Sequence, residues 1–420
     1  MMTTTFVLLA LSQAPIIEVG GATFRPLPLA LPAPLAQDDS AKKLAAEFDD
    51  ALKFDLSACG LFQVLDRKSY LSDAKEGVTA SSINFSNWSN VGADALVKTQ
   101  LSVDGENVRG DLRLFTVAAG KEEMKASESV GAKDLRKLAH KLANALYKFY
   151  TRETGPFETK IAWARKTAGG KDVWLSDWDG RGAVGIGIGG INTLPALGPD
   201  GSVAFTSFRS GKPDLYISKN AAAPRVLIAS GRMATGVAFS PDGRKIAYSL
   251  ADGESAQIYV AGSDGSSPRQ LTNTPFFINT SPSWSPDGKR LAFVSNRGGT
   301  PQVYVMSSEG GEAKRLTFQG NYNQTPDWSP RGDLIAFTAR DERNAFDLFT
   351  IAVDTGKVTR LTQDQGNNEE PSFSPNGRLI LFTSTRSGGV PKLFVMTFDG
   401  NNQTELPAEK GSYSTPDWGP

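Results

Sequence analysis

Side chains able to do covalent or acid–base chemistry are scarce in this chain. His140 is the only histidine and Cys59 the only cysteine in 420 residues. Without a histidine in residues 155–420, neither a Ser/His/Asp triad nor a histidine-held metal can be built there. One cysteine allows no intramolecular disulfide and no multi-cysteine metal site. His140, beside Arg136, Lys137 and Asn144, reads as a solvated helix residue with no nucleophile in view. Cys59 reads as a half-buried small apolar residue near a helix end. The run Gly185-Ile-Gly187-Ile-Gly189-Gly190 is not followed by a helix, so it lacks the N-terminal dipole that would hold a phosphate. Asp177-Trp-Asp179-Gly180 starts like a calcium loop but lacks the remaining ligands, and a β-turn suffices.

Polar groups recur instead at fixed intervals. One set is Asn279-Thr280-Ser281, Asn323-Gln324-Thr325, Asn368-Glu369-Glu370 and Tyr413-Ser414-Thr415, with Thr235 in the preceding interval. A second set places an arginine after a strand, at Arg209, Arg297, Arg340 and Arg386. Amide, hydroxyl and carboxylate groups in such an arrangement recognise another protein or its peptide by hydrogen bonding. They also serve to cap strand ends.

The elements that position these groups are β-hairpins. Ser283-Trp-Ser285 alternates like a half-buried strand, Leu291-Ala-Phe-Val294 is short and apolar, and Pro286-Asp287-Gly288 between them has the residues of a tight turn. The turn returns at Pro199, Pro241, Pro330 and Pro375, so the five prolines are spaced 42, 45, 44 and 45 residues apart. Each interval holds two more strands, such as Gln302–Met306 and the segment around Leu316. Four strands per period of this length make a propeller blade.

Residues 159–190 supply a blade without its first strand, and Tyr413–Trp418 supply a first strand without a blade. The C-terminus is therefore expected to close a six-bladed ring and remove its open edges. In such a ring the loops between successive blades share a face with the loops joining second and third strands. Both polar sets then fall at one mouth of the channel, with the arginines further out.

The remainder organises before residue 155. Residues 1–14 resemble an export leader, with Phe6–Leu11 apolar and Ser12-Gln13-Ala14 suited to cleavage. Residues 15–154 are expected to form an α/β domain with an N-terminal arm, and residues 155–420 the propeller. The Pro-rich stretch to residue 37 reads as an edge strand or an arm. Asp38 or Asp39 caps a helix that Gly60 ends, strands follow near 61–65, 95–101, 108–117 and 123–129, and a second helix covers 132–150. Lysines plus arginines equal aspartates plus glutamates at 45 each, so no global field recruits nucleic acid. No apolar run is long enough to span a bilayer as a helix, and a monomer is expected.

The repeats Trp-Ser-Pro-Asp-Gly-Lys-x-Leu-Ala-Phe are shared by several propeller families. Thr159-Lys-Ile-Ala-Trp163, Asp172–Gly180, Ser57-Ala-Cys-Gly-Leu-Phe62, Trp88 with Gly92–Val97, and the ending through Pro416-Asp-Trp418 narrow the match. Together they resemble the TolB family of the Tol-Pal system, from about residue 15 to the C-terminus. That resemblance implies a non-enzymatic periplasmic adaptor supporting outer-membrane integrity and constriction at division. It implies binding of the lipoprotein Pal at the channel mouth and of TolA through the arm residues Ile16, Ile17, Glu18 and Val19. It implies no cofactor, and leaves calcium in the channel undecided. Two other readings stand beside it: a propeller regulating a peptidase, and a different periplasmic module for a peptide or carbohydrate, with Phe276, Phe277 and Tyr322 as platforms.

Overall fold

A computed structural model describes residues 24–71, 76–409 and 411–419. The expected leader and the arm residues Ile16, Ile17, Glu18 and Val19 lie outside these. The described residues divide into two units at Gly155/Pro156, with Phe54–Gly60 grouped with the second.

The first unit is an α/β domain. Strands β1 (Leu27–Ala30), β2 (Leu35–Ala36), β3 (Phe62–Val64), β4 (Ala95–Asp104), β5 (Asn107–Thr116) and β6 (Lys121–Gly131) form one sheet in the order β3-β1-β4-β5-β6, with β2 also on β4. Helix α1 (Asp39–Ala58) starts where the Asp38 carboxylate accepts the Ala41 N–H at 2.7 Å, so Asp38 is the cap. Gly60 follows with φ +74°, a left-handed stop that suits glycine. Helix α3 (Leu135–Thr151) lies on the sheet at Gly110, where a β-carbon would press on Leu138 and Leu142.

Three expectations fail before residue 155. The Pro-rich segment is not an edge: β1 is flanked in parallel by β3 and β4. Pro28 is tolerated because its carbonyl faces β4 and accepts from Asp94 N at 3.0 Å, so its missing N–H falls where pairing with β4 begins. His140 is not solvated but 3% exposed. It belongs to a second buried stripe of α3, His140, Asn144, Tyr147 and Thr151, at helical spacings of 4, 3 and 4. Cys59 is fully rather than half buried, its thiol donating to Leu56 O at 3.3 Å. A short helix, α2 (Phe85–Asn90), was also not expected; it buries Trp88, whose indole N–H donates to Glu76, and Glu76 is paired with buried Lys98 at 2.6 Å.

The second unit is a propeller of six four-stranded antiparallel sheets. The inner strands of blades 1 to 6 are Asn192–Leu197, Met233–Phe239, Asn279–Trp284, Asn323–Trp328, Asn368–Phe373 and Tyr413–Gly419. In blade 6 the last of these pairs with Lys160–Thr167, joining the chain's end to the start of the ring. The repeated turn is built by side chains. Ser285 N and Arg290 O pair at 2.9 Å, the Ser285 hydroxyl accepts from Arg290 N, Asp287 accepts from Lys289 N at 3.0 Å, and Gly288 takes φ +68°. Hydrogen bonding from Ser285 holds the Asp287 carboxyl below its ordinary pKa. Asp177–Gly180 is the β-turn expected, closed by Gly180 N to Asp177 O at 2.9 Å. Of the glycine run only Gly185 lies in a strand, the short fourth strand Val184–Gly185, and residues 186–190 continue outside it.

Candidate functional site: the propeller channel

Each inner strand has the same irregularity. The strand bulges against its partner at its third or fourth residue, and one residue takes a left-handed backbone: Leu194, Gly236, Ser281, Thr325, Glu370 and Thr415, with φ between +48° and +63°. A β-branched residue such as Thr325 resists that conformation, by about 1–2 kcal/mol. Five of the six positions precede a proline; in blade 2 the pair is Gly236-Val237.

These bulges define the upper limit of a cavity of about 490 Å³. Its wall runs from the left-handed residues through Pro282, Pro326, Pro371 and Pro416 to the turn prolines Pro199, Pro241, Pro286, Pro330 and Pro375. Of the predicted mouth residues, Ser281, Thr325, Glu370 and Thr415 line it. Thr235, Thr280, Gln324, Glu369 and Ser414 stand one residue above, half-buried and outside that lining.

Asn279, Asn323 and Asn368 are not at a surface. They are fully buried and join consecutive blades. Asn323 donates to Gln302 Oε1 of blade 3 at 2.7 Å, Asn279 to Gln257 Oε1 of blade 2 at 3.1 Å, and Asn368 to Asp347 Oδ1 of blade 4 at 3.1 Å. Asn192 repeats the arrangement with Asp172 of blade 6 at 3.0 Å.

The arginines do not form an outer ring of free cations. Arg297 and Arg386 turn inward, each donating to the asparagine Oδ1 of its own blade at 2.7 Å and to a serine, Ser295 or Ser384. Arg386 lies 4.7 Å from the Phe394 ring and Arg297 5.0 Å from the Tyr304 ring, and burial lowers both guanidinium pKa values. Arg340 stacks on Tyr322 at 4.8 Å, which removes Tyr322 as an open platform, while Arg209 is exposed. Phe276 is 84% exposed and Phe277 is also exposed, in the loop entering blade 3.

A second ring escaped notice in the sequence. Two residues beyond each left-handed position stand Ala196, Ala238, Ser283, Asp327, Ser372 and Asp417. The polar four accept a backbone N–H from the next blade: Ser283 from Trp328 (2.9 Å), Asp327 from Phe373 (2.7 Å), Ser372 from Trp418 (2.9 Å) and Asp417 from Leu197 (2.7 Å). The signal was one column of the repeat alternating serine and aspartate. Asp327 and Asp417 touch the lumen but are enclosed by protein on their other sides. Burial raises their pKa values to about 7 and about 6, with Asp417 adding repulsion at Asp327. Glu369 is pushed up to about 7 by burial and by Glu370, and burial raises Glu370 too.

The chain matches the TolB beta propeller domain over residues 147–420 and the TolB amino-terminal domain over residues 15–123. It is 63% identical to the Tol-Pal system protein TolB of Myxococcus xanthus over 347 residues, 82% of this chain and 80% of that one. Identity to the Tol-Pal system protein TolB of Anaeromyxobacter dehalogenans is 45% over 349 residues, 83% of this chain and 80% of that one. The crystal structure of TolB from Acinetobacter baumannii shares the fold with a TM-score of 0.79 at 24% identity, covering 97% of this chain and 98% of that one. Among the described residues no helix is long and apolar enough to cross a membrane. By its matched domains and these relatives, the chain belongs to the TolB family, as a component of the cell-envelope Tol-Pal system.

Proposed function

We propose that the protein is a non-enzymatic periplasmic adaptor that binds the lipoprotein Pal at its propeller channel and TolA through its N-terminal arm. Its role is then to support outer-membrane integrity and envelope constriction at division. The observation that carries the first contact is the ring of side chains around the axis. Ser281, Thr325, Glu370 and Thr415 line the cavity, with Thr280, Gln324, Glu369 and Ser414 just above. Backbone held in a costly conformation at a repeated position is characteristic of a functional surface. Hydroxyl and carboxyl groups at the rim of a concavity walled by prolines suit a protein segment that offers both polar and apolar groups.

A photo-crosslinking residue at position 281 tests this reading. With the purified soluble domain of a Pal-type lipoprotein from the same organism, it should form a crosslink that the same residue at exposed position 220 does not. Equal yields at both positions, or none at 281, would contradict the assignment. Deleting residues 15–22 should remove TolA binding, and unchanged TolA affinity would separate that partner from the arm.

A further inference from the structure

The ring is not equally fastened at its six junctions, and the deficits converge on one. Between blades 3 and 4, and between 4 and 5, both an asparagine staple and an axial serine or aspartate latch are in place. The junction of blades 6 and 1 has both as well, through Asn192 and Asp417. Blades 5 and 6 share the Ser372 latch and a bond from Thr415 N to Glu370, and blades 2 and 3 the Asn279 staple and an outer clamp of Lys245 and Arg269 on Glu309.

Between blades 1 and 2 each device is missing. The latch position of blade 1 is Ala196 and the staple position of blade 2 is Ala234, and neither methyl can accept or donate a hydrogen bond. What is left is a long bond from Gly236 N to Thr206 Oγ1 at 3.3 Å and a backbone bond from Ala234 N to Pro213 O at 2.8 Å, of the kinds that Glu370 N to Thr338 Oγ1 and Asn323 N to Pro301 O add to a staple and a latch elsewhere. The bulge of blade 2 lacks the proline of the other five, so Gly236-Val237 has more backbone freedom than any counterpart. A second cavity of about 390 Å³ opens at the same junction, lined by Asp200, Lys219 and Arg225 of blade 1 and Phe239 and Asp264 of blade 2. Beside these, Arg225 of blade 1 attracts Asp264 of blade 2 across that cavity, and an apolar cluster packs Ala204, Leu215 and Ile217 against Ile246, Tyr248 and Leu250. Apolar burial is strong but non-directional, so it permits sliding that a ladder of hydrogen bonds would resist.

We infer that the junction of blades 1 and 2 is a built-in seam, at which the ring opens to widen the axial channel. Blade 2 is the moving wall and the latched arc from blade 3 round to blade 1 is the fixed frame. The inference concerns the free protein and stands whether or not the channel takes Pal.

Hydrogen exchange of the full chain, read by mass spectrometry and corrected for intrinsic rates, tests it without any partner. Peptides covering 233–239 should exchange about tenfold faster than those covering 323–328 or 368–373, as expected of a locally opening unit. Ala196→Ser adds the acceptor that Ser283 and Ser372 provide elsewhere, and should slow 233–239 roughly fivefold, the equivalent of one hydrogen bond of ~1 kcal/mol. Should that variant not fold, Ser372→Ala makes the reverse test: it should speed exchange of 413–419 by a similar factor. Equal protection of all six inner strands, or fastest exchange at another junction, would overturn the seam, as would Ser372→Ala leaving 413–419 unchanged.

Discussion

Asn279, Asn323 and Asn368 stand two residues from Ser281, Thr325 and Glu370 on the same inner strands, yet the two rings do different work. The asparagines are sealed between blades with their amide N–H groups donating across the junction. The residues after them border the lumen on backbone that the bulge has turned. A repeated polar residue is thus no sign of a docking face. In a propeller, the same chemistry that recognises a partner also fastens one blade to the next, and burial decides which.

The comparison breaks most visibly at a staple. Asn368 exchanges four hydrogen bonds, donating to Asp347 and Gly366 and accepting from Ser384 and Arg386. Asn368→Ala leaves buried Asp347 and Arg386 short of partners, and should cost about 3–5 kcal/mol in urea unfolding. Partner affinity of the folded fraction should hardly change.

A smaller effect comes from the channel carboxylates. Asp327 and Asp417 have native pKa values of about 7 and about 6, above an unfolded value near 3.8. Between those values the native state keeps protons the unfolded chain has released, so stability is greatest below about pH 4 for these groups and falls as pH rises toward 7. Asp327→Asn with Asp417→Asn keeps an acceptor oxygen for Phe373 N and Leu197 N and should flatten that slope. An unaltered slope in thermal melts from pH 4 to 7.5 would assign it to other groups. The smallest effect is expected at the bulge itself. Ser281→Gly removes the steric penalty of φ +54° but loosens the unfolded chain, so melting should shift by less than about 1 kcal/mol either way.

Much of the fold was legible because its determinants are local. Ser285-Pro286-Asp-Gly288 specifies a turn by dihedral preference and by side-chain bonds to its own backbone, and the count of turns specifies the blades. The first strand missing before Ile161 and the spare strand at Tyr413 fitted one another without any knowledge of distance. Where burial from afar decides, local pattern misled. Pro28 reads as an edge residue, because only the alignment of β1 with β4 shows that its absent N–H is not needed. His140 lies next to a lysine and near an arginine, and nothing adjacent in sequence announces the second buried stripe of α3. Six residues were too few for α2 to display a helical period. At the site, Arg297 and Arg386 look like surface cations until their asparagine partners are placed, whereas Thr280 and Ser281 owe their access to a bulge that no residue type announces.

The measurement that tests the account most directly is calorimetric titration of the protein with the soluble domain of a Pal-type lipoprotein from the same organism, alongside Thr280→Arg. Thr280 is half-buried above the cavity and belongs to neither the staple nor the latch ring. Saturable binding by the parent is expected, with at least a tenfold loss in the variant, which is about 1.4 kcal/mol, and unfolding shifted by less than about 1 kcal/mol. Parent-like binding by a folded Thr280→Arg protein, or no binding by the parent, would contradict that expectation.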